Sequence, residues 1–268
     1  MHIEFAKGHG TRNDFVLFAD PDNLFDLTAG QVAFLCDRRG GIGADGVLRA
    51  VRAESVPGAG APAGTWFMDY RNADGSIAEM CGNGLRVFLR YLDEEGLVTG
   101  TDVDVLTRAG LRKGTFLPDG RIAVTMGAVR FGTPVTVGVG ESRWSATSVD
   151  VGNPHAVAVL TSAEELDALE LGRPPAWEPS GAFPDGVNVE FVVREGPGRI
   201  RLRVHERGVG ETSSCGTGVV AAAAAMHDFD HYTVEVPGGT LEVDLAGEEA
   251  VLTGPAVIVA RGTCTLPN

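Results

Sequence analysis

Two short stretches carry the residue types from which proton chemistry can be built. MCGNGLRVFLRYL begins at Met80, and SCGTGVVAAAAAM begins at Ser214. Each is Cys-Gly-x-Gly followed at once by a helix-forming run. A Gly-rich turn entering a helix leaves the first backbone N–H groups without intrahelical acceptors. Together with the helix dipole they form a site for a carboxylate or a phosphate. The same field favours a thiolate. A free cysteine titrates near pH ~8.5, and a helix N-terminus lowers that by a unit or more; one unit is worth about 1.4 kcal/mol. Cys81 and Cys215 are therefore each expected to be a low-pKa thiol beside an anion pocket.

The two cysteines lie 134 residues apart in a chain of 268. The echo extends upstream, because Asn72 and Glu206 each end a strand-like run nine residues before their cysteine. This pattern reads as a duplicated half: strand, turn, Cys-Gly-x-Gly, helix. Pseudo-twofold halves would bring the two helix N-termini face to face across a cleft, with two thiols flanking one bound carboxylate. Inversion at an α-carbon needs that arrangement. A thiolate removes the α-proton from one face, and a thiol returns a proton to the other. The pair then holds one proton, and its titration belongs to the dyad. Backbone N–H groups aimed at the carboxylate would stabilise the enediolate-like charge. Two other readings of the same residues stay open: a pair of structural thiols at tight turns, and a redox pair that closes a disulfide when the Cα atoms lie within about 7 Å.

The elements that must position these groups are mostly short strands. Alternating runs predict strands at Ile3–Ala6, Phe15–Ala19, Val47–Val51, Thr65–Tyr70, Val103–Thr107 and Ile122–Met126. In the second half they fall at Val135–Val139, Val149–Val151, Ala156–Leu160, Val187–Val193, Ile200–Val204, Thr233–Val236, Thr240–Val243 and Ala256–Ala260. Helices are few: one from an N-cap at Thr28 to Arg38, a short one at Glu164–Leu169, and one after each Cys-Gly-x-Gly. Pro57–Gly64 and Arg173–Gly186, the latter with four of the 14 prolines, read as exposed connections.

Composition narrows the function. Hydrophobic residues make up 44% and charged residues 22%, which fits a globular chain with a sizeable core. Net charge is −14, which disfavours nucleic-acid backbones and anionic lipid as partners. The longest apolar run, Val219 to Met226, is far short of the ~20 residues of a membrane span. The first residues, MHIEFAKGHG, have no secretory pattern, so a cytoplasmic location is expected. Lys7 and Lys113 are the only lysines available for a pyridoxal-phosphate Schiff base. The four cysteines, Cys36, Cys81, Cys215 and Cys264, match no zinc spacing, and Cys36 and Cys264 read as structural. His227 and His231 in HDFDH would share a face if helical, but no third ligand is nearby and metal is not expected.

Beyond the thiols the chain resembles the diaminopimelate epimerase family along nearly its whole length. RNDF at Arg12–Phe15, NADGSIAEMCGNG at Asn72–Gly84, GNPH at Gly152–His155, VNVEF at Val187–Phe191 and ERGVGETSSCGTG at Glu206–Gly218 carry the likeness. Relatives resembling proline racemase have a His after the first Cys-Gly, where this chain has Asn83, and the phenazine-type isomerases lack the cysteine pair. The resemblance implies a cofactor-independent, metal-free isomerase interconverting LL- and meso-2,6-diaminoheptanedioate, on the route to lysine and cell-wall precursors. It implies an α+β fold of two similar pseudo-twofold-related domains, each a curved mixed sheet around a central helix, and a homodimer. The break is expected near 126, with 127–260 as the second half and 261–268 rejoining the first.

By motif, Cys81 and Cys215 are the implied acid/base thiols. Gly82, Asn83, Gly216 and Thr217 would offer N–H groups to the reacting carboxylate. Asn13, Asn72, Asn153, Asn188, Glu206 and Arg207 form the implied substrate-holding set. The set makes chemical sense, since Arg207 can grip a carboxylate bidentately, Glu206 can take an ammonium, and Asn side chains both donate and accept. His155 and Glu206 could also take a proton from the α-ammonium or tune the thiols. The chain departs from the family at Gly46, where a polar Gln is usual, at His205, and at Thr11-Arg12, where Leu-Gly is usual. Two rival functions remain: a two-thiol racemase for another amino acid, and a non-enzymatic amino-acid binding module with a redox-sensitive thiol pair.

Overall fold

A computed structural model describes residues 2–267. In chain order the strands and helices are β1 (His2–Gly10), β2 (Asn13–Ala19), α1 (Ala29–Cys36), β3 (Gly46–Arg52), β4 (Trp66–Asn72), α2 (Gly82–Glu94), β5 (Asp102–Thr107), β6 (Gly110–Phe116) and β7 (Ile122–Gly127). They continue with β8 (Arg130–Phe131), β9 (Val135–Val139), β10 (Ser142–Asp150), β11 (Pro154–Val159), α3 (Ala163–Asp167), β12 (Ala176–Glu178), β13 (Asn188–Gly196), β14 (Arg199–Glu206) and β15 (Gly210–Thr212). The last are α4 (Gly216–Met226), β16 (His231–Val236), β17 (Gly239–Asp244), β18 (Ala250–Gly254) and β19 (Val257–Thr265).

The chain forms two compact units. One holds the residues up to Val124 and those from Gly254 onward; the other is Thr125–Thr253. The return to the first unit thus starts at Gly254, earlier than the 261 expected from sequence, because β19 pairs with β1 along most of its length.

Each unit is a mixed sheet. In the first, the order is β19-β1-β2-β3-β4-β5-β6-β7, and neighbours run antiparallel, antiparallel, parallel, antiparallel, parallel, antiparallel, antiparallel. In the second, β9-β10-β11-β13-β14-β16-β17-β18 repeats the same succession of directions. The long helix follows the fifth strand of each order, α2 after β4 and α4 after β14 and the short β15. A single sequence of seven pairings, shared by both units, matches strand to strand and helix to helix.

The central helices are mostly buried, α4 along its whole length, which explains their composition. Every residue of α4 is buried, and α4 packs on β10, β11, β13, β14, β16 and β17, so the sheet must curve around it. A run of alanines suits a helix so enclosed, with high propensity and small side chains. The helix stops at His227, which takes a left-handed conformation (φ 59°), and His231 begins β16. HDFDH is therefore not helical, and no cluster of three metal-ligating side chains occurs among the described residues. Helix α2 buries ten residues and meets β1, β2, β3 and β19. Glycines on the strands make room for its larger side chains. An added Cβ at Gly114 on β6 would sit 2.2 Å from Leu89 Cδ1. Gly96, at φ 65°, ends the helix, and the next N–H, of Leu97, returns to the Leu92 carbonyl.

The outer faces carry a second layer. Thr28 and Gln31 cap α1 reciprocally. Val32, Leu35 and Cys36 of α1 then pack with Val16, Phe18 and Val47. Burial pushes the Cys36 thiol up to about 11. In the second unit Leu166 of α3 joins Val189, Phe191 and Val193. The stretch 173–186 is more than an exposed connection. It contains β12 on the edge of β9, and Phe183 is buried in the same cluster, edge-on to Trp177. The strand β6, GLRKGTF, lies outside the sequence expectation because its apolar Leu111 is exposed while Arg112 lies on the more buried face, which breaks the alternation.

Gly114→Ala should destabilise the protein by about 1–3 kcal/mol through overpacking against Leu89. Urea unfolding of the two proteins measures the difference, and an unchanged midpoint would contradict the close approach.

Candidate active site

In the first unit, Cys81 is the residue just before α2. Its Sγ accepts the Gly84 N–H at 3.3 Å and donates towards Asn13 Oδ1 at 3.5 Å. The first intrahelical bond is the one from Leu85 N–H to the Cys81 carbonyl. The Gly82 and Asn83 N–H groups precede that ladder. Asn13 opens β2 directly after a two-residue turn in which Thr11 and Arg12 both have positive φ, 49° and 66°. Asn13 Nδ2 donates to Asp45 Oδ2 at 2.9 Å. Behind it Asp14 meets Lys7 and Arg38. Burial opposes the ionisation of Asp14, but Arg38 and Lys7 outweigh it and hold the carboxyl well below the usual range. Asn72 ends β4, and its Nδ2 donates to Ser76 Oγ at 3.0 Å.

Asn83 is buried, and its Oδ1 accepts from Arg86 at 2.9 Å and from the Thr11 hydroxyl at 3.4 Å. The carboxamide therefore ties the β1–β2 turn to the helix start, a job beyond lending a backbone N–H.

In the second unit, Cys215 occupies the matching place before α4, 7% exposed, with Sγ 3.5 Å from Thr217 Oγ1. Glu206 at the end of β14 accepts the Thr212 hydroxyl and shares a hydrogen bond with the cysteine. His155 is wholly buried, with Nδ1 2.7 Å from Glu190 Oε1 and Nε2 2.9 Å from Asn153 Oδ1. Asn188 Oδ1 accepts the Arg207 N–H at 2.9 Å, and its Nδ2 donates to the Pro154 carbonyl at 3.2 Å. The Arg207 guanidinium reaches the Asp185 carbonyl at 3.2 Å from an exposed position. The second unit thus gathers Cys215, Glu206, His155, Asn153 and Asn188 around one helix start, with Arg207 at its edge. The first gathers Cys81, Asn13 and Asn83.

The electrostatics at Cys215 reverse the expectation of a lowered thiol. Burial, then the carboxylates of Glu206 and Glu190, push its pKa well above the ordinary value, against Thr217 and the Gly218 N–H. The helix dipole is present, but desolvation and two acids outweigh it. Burial also raises Glu206, opposed by its bonds to Thr212 and Cys215.

Glu190 is a buried acid beside Cys215 and His155 that sequence reasoning missed. It is fully buried, Oε2 finds no hydrogen-bond partner, and Oε1 would lie 2.4 Å from a Cβ at Gly218. A lone acid in the apolar strand run VNVEFVV is the signal that could have found it.

The sequence pattern of the diaminopimelate epimerase family matches residues 5–132 and 147–259. The chain belongs to the diaminopimelate epimerase family. It is 51% identical to the diaminopimelate epimerase of Streptomyces coelicolor, over 97% of this chain and 94% of that protein. It is also 51% identical to that of Thermobifida fusca, over 98% of each. Solved structures share the fold at low identity. A PhzF-family phenazine biosynthesis protein of Bacillus anthracis superposes with a TM-score of 0.73 at 15% identity, covering 99% of this chain and 100% of that one. A hydroxyproline epimerase from Agrobacterium vitis gives 0.67 at 17%, covering 98% and 92%. The α+β fold of two similar units is that of the epimerase family.

Within this epimerase-family chain, the raised Cys215 thiol predicts that its alkylation by iodoacetamide follows a pH midpoint above the ordinary ~8.5. Glu206→Gln removes a neighbouring negative charge and should lower that midpoint. Peptide mass spectrometry across a pH series reads both, and a wild-type midpoint below 8.5 would overturn the electrostatic account.

Proposed function

We propose that the chain is a cofactor-independent diaminopimelate epimerase in which Cys81 and Cys215 exchange a proton with one α-carbon. The observation that supports it is the cysteine at each buried helix start, in a chain about half identical to curated epimerases along almost its whole length. One sulfur, as thiolate, takes the α-proton from the LL isomer or from the meso one. The other, as thiol, protonates the opposite face. The roles exchange in the reverse direction, and the pair carries one proton throughout.

The remaining residues have roles consistent with their placement. N–H groups of Gly82, Asn83, Gly216 and Thr217 receive the carboxylate whose charge grows as the α-proton leaves. Arg207 takes a carboxylate and Glu206 an ammonium, while Asn13, Asn72, Asn153 and Asn188 read the orientation of the dipolar ends. His155, set by Glu190 and Asn153, tunes the Cys215 side of the site. We also propose a cytoplasmic homodimer that binds neither nucleic acid nor membrane; the family resemblance supports the dimer, and the net charge of −14 supports the lack of nucleic-acid binding.

Either stereoisomer incubated with the enzyme in deuterated water should acquire solvent deuterium at the α-carbon. Cys81→Ser and Cys215→Ser should each reduce turnover by about 10²–10⁴-fold with little change in unfolding midpoint. Retention of hydrogen at that carbon, or activity on proline-type substrates in place of diaminopimelate, would displace the reading. Light scattering after size exclusion should give twice the 28.0 kDa of one chain; a single-chain mass would remove the dimer.

A further inference from the structure

The matched topologies of the two units allow their helix starts to be compared residue by residue. In the parallel pairs beneath each helix, Phe15 stands opposite Gly46 and His155 opposite Asn188. Phe15 therefore corresponds to His155, and Leu48, two residues on from Gly46, corresponds to Glu190. Contacts of the glycine three residues after each cysteine agree. A Cβ at Gly84 would meet Phe15 at 3.3 Å and Leu48 at 3.6 Å, and one at Gly218 would meet Glu190 at 2.4 Å. Five residues after the cysteines, Arg86 in α2 corresponds to Val220 in α4.

The two helix starts are thus electrostatic opposites. Below Cys215 lie an acid and an imidazole, with Glu206 alongside, and no arginine occurs in α4. Below Cys81 the strand side chains are apolar and the helix itself carries a wholly buried guanidinium. Arg86 is 0% exposed. It donates to the Gly82 carbonyl at 3.2 Å, to Asn83 Oδ1 at 2.9 Å and to the Pro255 carbonyl at 3.4 Å. Among the described residues no carboxylate pairs with it. A buried charge without a counter-ion is costly, and here it stands one turn from a sulfur that can become negative.

The other charges around α2 are already matched. On β1 and β2, Lys7 and Asp14 pair with each other, and Arg38 spans Asp14 and Asp45. On β3, Arg49 is held by Asp20 and Asp69, and on β4 Arg71 by Asp69. On β6, Lys113 meets Asp102. On β19, Arg261 meets Glu94 and Glu95 at the far end of the helix. Glu4 on β1 is exposed, and the His9 ring is half-buried beside Gly10.

We propose that Arg86 is a positioning residue of the epimerase site: from inside α2 it holds Asn83 and the helix start, and its permanent charge makes Cys81 the thiolate of the resting pair while Cys215 keeps the proton. Burial draws the guanidinium down only to about 10, with Cys81 favouring its charged form, so it stays cationic at neutral pH. The attraction is mutual, and whatever Cys81 does for Arg86, Arg86 does for Cys81. The inference rests on the two-thiol reading of the site, but its readout does not require turnover.

The test is the pH dependence of iodoacetamide alkylation at each cysteine, followed by peptide mass spectrometry on the full chain. The midpoint is compared rather than the rate, since Cys215 is the less accessible sulfur. In the wild type the Cys81 midpoint should lie below that of Cys215. Arg86→Met should raise the Cys81 midpoint by about one unit, a roughly tenfold fall in reactivity at pH below it, and leave Cys215 in place. Arg86→Lys should restore most of the shift. A merely structural arginine would lower the unfolding midpoint without moving the Cys81 titration in the folded variant, and that result overturns the proposal. A Cys81 midpoint above that of Cys215 in the wild type does the same, and it decides the matter even if Arg86→Met does not fold. Loss of the epimerase reading would show instead as absent deuterium exchange with these titrations unaltered.

Discussion

The distance between a helix start and the two strands beneath it controls everything else in each unit. Two glycines set it. At Gly84 and Gly218 the helix backbone comes so near the sheet that a single methyl group would press on Phe15 and Leu48 or collide with Glu190. This closeness brings the cysteine three residues earlier onto the polar ends of the same strands. Asn13 lies at the start of β2, and Asn153 directly before β11. Asn72 and Glu206 end β4 and β14. A helix set farther out would leave the cysteine at a dipole terminus with nothing around it to hold a substrate. The closeness also excludes water, so that the charges placed there act at a lower effective dielectric than at a surface.

That exclusion explains why the simplest electrostatic expectation failed at one of the two sites. A helix terminus is worth up to about 2 kcal/mol to a charge in a favourable, partly buried geometry. Removing a thiolate from water, with two carboxylates near by, costs more. At Cys215 the sum favours the neutral thiol. At Cys81 the same dipole acts together with a buried guanidinium and over an apolar floor. The motif Cys-Gly-x-Gly is identical in the two units, but its chemical meaning is set by side chains on β3 and β13 and by one helix position.

Those side chains mark the boundary of what could be read from sequence. The cysteines, the glycines and the strand ends at Asn72 and Glu206 belong to local patterns, and local patterns survive in one dimension. The repetition of strand order was legible only through spacing, since the apolar run that reveals β13 has no counterpart in β6, where Leu111 is exposed and Arg112 lies on the more buried face. The return of the chain at Gly254 depends on β19 pairing with β1, a contact between residues more than 240 positions apart, for which no short motif exists. Glu190 and Arg86 were invisible for a different reason. A charged residue in a strand or a helix is read as facing water, and only the curvature of the sheet around the helix shows that these two face inward. Gly46 illustrates the converse. The family's usual polar side chain is missing there, and the structure shows why it could not simply be restored: a Cβ would meet the Arg71 carbonyl at 2.6 Å and the Tyr70 ring at 2.8 Å.

On the proposed two-thiol reading, a duplicated fold offers two equal acid/base groups, whereas proton transfer across a carbon centre needs one of each. Were the surroundings equal, the single proton would be shared at random and half of the molecules would meet either isomer in the wrong state. Divergence of the halves removes that loss for the isomer that meets the resting thiolate and deepens it for the other, so it cannot go far. Every unit of difference between the two thiols adds about 1.4 kcal/mol to the direction that must start from the stronger base, the thiol that keeps its proton at rest. The groups at Cys215 fit such a limit, because they are adjustable. Glu206 is itself raised by burial and hydrogen-bonded to the sulfur, so it is a base within reach of the thiol proton. If Glu206 takes a substrate ammonium as proposed, that charge would cancel part of the negative field that holds the proton in place. Arg86, by contrast, is sealed in the helix and keeps its charge in every state. On the same proposed reading, Cys81 is held by a fixed charge and Cys215 by charges that a bound substrate would alter, so the bias between the thiols would weaken on binding.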